Sequence, residues 1–134
     1  IENTDSYIVN SISLWYDSDS KVASEQALFY AMLRYDSSRF WPSLRKYLKL
    51  HVGEEFPLYA QEAYILFMDK FPEEKRMMIP VEQDVYERYK QFRKVLEQRV
   101  KPGLTLGKVA KDMRAEWGDT YWYYTFFGRT FNLK

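Results

Sequence analysis

Cysteine is absent from this 134-residue chain, and histidine occurs once. The first absence removes disulfides, thiolate zinc sites and thiol catalysis, and it fits a reducing cytoplasm as well as a cysteine-poor bacterial envelope. The second leaves His51 without the companions that a histidine metal site or a nucleophilic triad of the usual kind requires. There is no Walker loop and no Gly-x-Gly-x-x-Gly, so phosphate cradles lack their parts and no cofactor is expected. An excess of one charge is also missing: 20 Lys and Arg face 19 Asp and Glu, a net charge of +1. No bulk field of one sign gathers nucleic acid or an anionic membrane. Acidic residues accompany the basic ones throughout, which argues further against nucleic acid. The longest apolar run is Ala27 to Leu33, far below the ~20 residues of a membrane span, and no signal-peptide pattern appears. The chain opens on Ile1, from which a processed chain or a piece of a longer protein is expected.

What is present is helical periodicity. Hydrophobic side chains make 46% of the chain, which suits one compact domain over residues 1–134 with a real core. The clearest signal runs from Phe56 to Pro72, where Ala60, Ala63, Tyr64, Phe67, Met68 and Phe71 share one helical stripe. Gln61, Glu62, Asp69 and Lys70 lie mostly off that stripe. Small residues at Ala60 and Ala63 let a neighbouring helix approach, while the rings beyond them fill the wider gap.

The remaining elements follow from caps and breakers. Asp5 or Ser6 caps a short helix to Tyr16 with Ile8, Ile12, Trp15 and Tyr16 on one side. The run Asp17-Ser18-Asp19-Ser20 turns the chain and caps a helix over Lys21–Tyr35 that is apolar nearly all round and expected at the centre of the core. Asp36-Ser37-Ser38 connects it to an antiparallel helix over Arg39–His51, with Phe40, Leu44, Tyr47, Leu48 and His51 buried and Pro42 in the first turn. Gly53 ends that helix, and Glu54-Glu55 suit the positive start of the next. Residues 72–80 form the longest irregular connection. A long helix over Val81–Val100 carries Val81, Val85, Tyr89, Phe92 and Leu96 on a narrow stripe, with charges over the rest of its circumference. Thr105 caps a sixth helix with Leu106, Val109, Ala110, Met113 and Trp117 at helical spacing, ending at Gly118 and weakened by Gly107. The segment from Asp119 to Gly128 reads as helix capped by Asp119 or Thr120. TYWYYTFF is rich in strand formers, but nothing else in the chain offers a strand partner. The fold class is therefore all-α, with about 6–7 helices arranged as antiparallel hairpins.

Short antiparallel helices with small residues facing rings resemble the tetratricopeptide family of helix-turn-helix repeats. With Arg39–His51 and Phe56–Pro72 as the repeat, Ala60, Tyr64 and Pro72 match the small, aromatic and proline positions of that motif's second helix. Phe67 stands where a small residue is typical, and Leu44 and His51 where Trp and Tyr are typical. A second register pairs Lys21–Tyr35 with Arg39–His51 and puts Tyr35 at the aromatic position. The resemblance covers about one repeat and implies a short right-handed array. With its ending TYWYYTFFGR, the chain is also similar to the carboxy-terminal part of an uncharacterised membrane-anchored family of Bacteroidetes. That similarity implies a soluble domain of a bacterial envelope protein and no known activity.

Candidate chemistry is sparse. His51, on an apolar stripe beside a glycine stop, reads as a packing or helix-end histidine. Glu116 and Asp119 are the one carboxylate pair set among aromatics, the company a glycosidase keeps, although an acidic helix end and a cap explain them more plainly. Aromatic residues are what the chain has in excess, at 19%. The rings of Tyr121, Trp122, Tyr123, Tyr124, Phe126 and Phe127 cannot all face one way. The reading is a non-catalytic helical scaffold that holds a protein or peptide segment, or part of its own parent chain, through Tyr30, Tyr59, Tyr121, Trp122 and Tyr124. Its groove is expected between the helices at Lys21–Tyr35 and Phe56–Pro72. The alternatives are a sugar-binding or glycan-hydrolysing module using Trp117, Trp122, Glu116 and Asp119, and a terminal domain that caps a larger protein.

Overall fold

The computed structural model describes residues 20–72, 79 and 81–128. They are helical, with no strand among the described residues, as the all-α reading expects. The expected helix at Asp5–Tyr16 lies outside the described residues, as does most of the connection 72–80. Two compact units appear, one holding residues 20–55 and the other residues 56–72, 79 and 81–128.

The first unit is a hairpin of α1 (Lys21–Leu33) and α2 (Ser37–Leu50), which pack on each other. Ser20 starts α1 because its extended backbone lets the hydroxyl accept the Ala23 amide at 3.2 Å. Ala23, Ala27 and Ala31 recur every fourth residue on the buried face, which keeps that face thin and lets α2 come close. Enclosure stops there. Val22, Phe29 and Leu33 remain 61%, 50% and 42% exposed, so α1 is not the enclosed helix that its composition suggests. Its buried side holds the alanine row with Leu28 and Met32, and α2 in turn buries Phe40, Trp41, Leu44 and Tyr47.

The turn is closed by a Schellman arrangement: Tyr35 N–H bonds the Met32 carbonyl at 3.1 Å and Asp36 N–H bonds that of Ala31 at 3.0 Å. Tyr35 sits at the left-handed position with φ 53°, a conformation that costs a residue with a β-carbon about 1–2 kcal/mol. Asp36 then accepts the Arg39 amide at 3.2 Å and the Ser38 hydroxyl at 2.8 Å. This cap starts α2 at Ser37 instead of Arg39 and carries Pro42 beyond the first turn, where its missing N–H removes a helix bond. At the other end His51 is buried, stacks on Tyr47 with ring centroids 3.9 Å apart, and holds Nδ1 2.8 Å from the Tyr47 carbonyl. Its Nε2 lies 3.6 Å from Glu25. Glu54 does not serve the next helix but accepts from Lys21, and that hydrogen bond is the main cause that lowers its pKa.

The second unit is built around α3 (Leu58–Lys70), which packs against α4 (Gln83–Arg99) and against α6 (Tyr121–Tyr123). All eight residues from Ala60 to Phe67 are buried, Gln61 and Glu62 included. A single apolar stripe was the expectation for this helix, and it is overturned because neighbours cover it on more than one side. Gln61 is tolerated inside because both ends of its amide are used. Its Nε2 donates to the Phe56 carbonyl at 3.0 Å and its Oε1 accepts the Glu82 amide at 3.1 Å.

α4 follows the expected stripe, with Val85, Tyr89, Phe92 and Leu96 buried. α5 (Leu106–Trp117) is capped by Thr105 and buries Val109, Ala110, Met113 and Trp117, leaving Leu106 44% exposed. Thr120 rather than Asp119 caps α6, accepting the Tyr123 amide at 3.1 Å. The chain then continues as a π-helical turn over Tyr124–Gly128. Trp122 sits among rings, 5.1 Å from Tyr89 and 6.0 Å from Phe92 by centroid.

Two glycines separate backbone need from free space. Gly118 has an ordinary right-handed backbone, yet a β-carbon there meets the Arg114 carbonyl oxygen at 2.5 Å, whereas one at Gly107 meets nothing within 4 Å. We expect Gly118→Ala to lower stability by about 1–3 kcal/mol. Gly107→Ala, inside α5, should raise it by about 0.5 kcal/mol. Urea denaturation of the two variants checks the pair, and loss of stability in both would contradict the assignment of Gly107 to open helix surface.

Candidate functional site

Two features of the second unit carry polar groups in unusual surroundings. The first is a groove of about 840 Å³ along α3 and α4. Ile65, Met68, Ile79 and Val81 give it apolar walls, and Tyr64, Tyr86 and Tyr89 add rings. Tyr64 is fixed by accepting the Ile79 amide at 3.1 Å. Asp69 receives hydrogen bonds from the Tyr89 hydroxyl and from Arg93, so the end of α3 is tied to the middle of α4. Burial, reinforced by the bond to Asp69, pushes the Tyr89 phenol well above the ordinary tyrosine range. Tyr89 is thus a neutral donor at any physiological pH. Along the α4 rim, Lys90 stands 4.8 Å over the Tyr86 ring, and Lys94 follows one turn later.

The second feature is the buried carboxylate of Glu62, 3% exposed. Its Oε1 accepts the Tyr121 amide at 3.0 Å, and its backbone carbonyl accepts the Trp122 indole N–H at 2.9 Å. One residue of α3 therefore holds the start of α6 twice. Burial raises the Glu62 pKa; the Tyr121 amide and the charge of Arg88 oppose the rise, and Asp119 adds to it. Arg88 itself bonds the Glu116 carbonyl at 2.9 Å and lies 5.1 Å over the Trp117 ring.

The residues singled out in the sequence are dispersed. Tyr121 and Trp122, expected as partner-contacting rings, are 8% and 1% exposed and belong to the core. The physical reason is that their N–H groups are consumed by Glu62, which draws the segment inward. Tyr124 is half-buried and stacks near Tyr121, with centroids 6.2 Å apart. Tyr59 is half-buried in the second unit and Tyr30 half-buried in the first. None of these five lines the groove. The glycan-directed set is split as well: Trp117 and Trp122 are buried, whereas Glu116 and Asp119 face solvent. Sequence reasoning passed over Tyr86, Lys90 and Lys94. Their spacing of four along the solvent side of a helix was the available signal.

Among the described residues no three His, Asp or Glu side chains gather to hold a metal ion. No described helix is long and apolar enough to cross a membrane. These features define an all-α protein whose helices pack through small and aromatic residues, with a groove along α3 and α4. The chain belongs to a family of unknown function (DUF6057), which matches it over residues 5–128. No curated protein matches the chain, and no solved structure does.

The Glu62 tie has a signature in pH. A carboxyl with a raised folded pKa keeps its proton where the unfolded chain has lost it, so stability is fullest at and below the ordinary glutamate range. It falls as pH rises through the raised folded value. Urea titrations over a pH series, followed by tryptophan fluorescence, should show this step in the parent and a flatter profile in Glu62→Gln. Identical slopes in the two proteins would refute it.

Proposed function

We propose that the chain is a non-catalytic helical scaffold whose second unit holds a segment of a partner protein in the groove along α3 and α4. A tetratricopeptide-like stacking of the hairpins is part of the same proposal. The observation that carries it is the groove itself, with aliphatic walls, three tyrosines and a lysine-bearing rim. An amphipathic segment can place apolar residues at helical spacing against Ile65, Met68 and Ile79 and keep acidic residues beside Lys90 and Lys94. The groove's polar cluster of Asp69, Tyr89 and Arg93 is tied together by internal hydrogen bonds, which suits binding better than bond-making chemistry. The burial of Trp117 and Trp122 speaks against the glycan reading, since a sugar needs an exposed ring face to stack on.

Peptide selection against the full chain tests this. Selected peptides should carry spaced apolar residues with acidic flanks, and Tyr86→Ala should weaken them about tenfold, the loss of ~1.4 kcal/mol that an aromatic contact gives. Tyr86 is 46% exposed, so the substitution leaves the core intact. Peptides that bind Tyr86→Ala as tightly as the parent would place the site elsewhere.

A further inference from the structure

We propose that the turn between α4 and α5 is a docking tip for an anionic lipid surface. Every residue from Glu97 to Lys108 is exposed. Within that stretch Val100, Leu104 and Leu106 are 43%, 46% and 44% exposed, so three aliphatic side chains gather at one end of the second unit. A connection between two helices needs no aliphatic residues; polar ones make the same turn without displaying apolar surface to water.

The turn holds these residues in fixed positions. Leu104 N–H bonds the Lys101 carbonyl at 3.2 Å, and Gly103 has φ 90°. With Pro102 before the glycine this is the pattern of a type II turn, in which proline sets one central residue and glycine takes the positive φ of the other. The Thr105 hydroxyl accepts the Lys108 amide at 3.2 Å and fixes the entry into α5, hence the place of Leu106. The turn and the cap thus set the backbone that carries these partly exposed aliphatic side chains.

Charge at the tip is in basic excess. The stretch from Gln98 to Lys111 contains Arg99, Lys101, Lys108 and Lys111 and no acidic residue. Asp112 lies 3.9 Å from Arg99, and Glu97 lies 4.0 Å from Arg93. Lys101, Lys108 and Lys111 make no ion pair among the described residues. The chain's near-zero net charge hides this local excess, in which Asp112 offsets Arg99 and leaves Lys101, Lys108 and Lys111. A turn exposed along its whole length offers no wall for a peptide to lie along. Aliphatic side chains ringed by lysines match the layered chemistry of a bilayer, with acyl chains beneath and anionic headgroups around them. The tip requires no spanning segment, and it makes this end of the scaffold peripheral to the membrane.

Co-sedimentation of the full chain with vesicles tests the inference. Vesicles of phosphatidylcholine with phosphatidylglycerol should bind the chain at low salt, and phosphatidylcholine alone should not. Raised salt should release it, as screening weakens the lysine term. Lys101→Gln/Lys108→Gln should lower partitioning about twentyfold, since each lysine near an anionic surface is worth a factor of about five. Leu104→Ser/Leu106→Ser should lower it about tenfold at unchanged charge. All four positions are exposed, so circular dichroism should match the parent. Absence of binding to anionic vesicles, equal binding to both compositions, or binding unchanged in both double variants would overturn the proposal.

Discussion

The second unit depends on the two hydrogen bonds that Glu62 accepts from the chain 59 and 60 residues further on. The carboxylate meets an amide at the start of α6, where helix N–H groups have no partner of their own, and the carbonyl meets the indole of Trp122. A buried carboxylate is costly unless it is satisfied. Here its burial and the docking of α6 are one event. Trp122 fills the space between Tyr89 and Phe92 because the indole N–H has an acceptor at the right depth. With the ring in place, α3 is covered on a second side, which explains why eight successive residues of that helix are buried.

The first unit solves a smaller problem with different means. Its alanine row and its Schellman turn bring α1 and α2 together, and its long-range polar contacts, Lys21 with Glu54 and His51 with Glu25, involve exposed acidic partners rather than a buried one. Tyr35 accepts a left-handed backbone so that the turn can be short and Asp36 can cap α2 at once. The strain is local and the closure is tight. The two units thus show two routes to helix pairing, one through thin faces and caps, the other through a buried polar tie.

Much of this architecture was legible because periodicity reports one-sided burial well. The α4 stripe of Val85, Tyr89, Phe92 and Leu96 and the α5 set of Val109, Ala110, Met113 and Trp117 could be read from spacing. Serine, aspartate and threonine before α1, α2 and α5 located the caps at Ser20, Asp36 and Thr105. What failed was the inference from polarity to exposure. Gln61 and Glu62 are interior because distant backbone groups satisfy them, and no local pattern reveals a partner so far along the chain. The same blindness misassigned Tyr121 and Trp122. An aromatic run signals surplus rings, but which ring turns inward is set by who accepts its N–H. The groove was missed for the converse reason: Tyr86, Lys90 and Lys94 look like an ordinary solvated face until α3 is placed beside them.

The distance along the chain between Glu62 and its partners bears on how this protein emerges from the ribosome. Local hairpins such as α1 with α2 can close as soon as their own residues are available. α3 cannot, because its second cover is supplied by an aromatic segment that follows Glu62 by 59 and 60 residues. Until Tyr121 and Trp122 arrive, a nascent chain presents Ala63, Leu66 and Phe67 uncovered and Glu62 in water. The second unit therefore closes only after that segment has been made, and a chain that stops short of Thr120 leaves α3 bare on the side where Tyr121 and Trp122 belong.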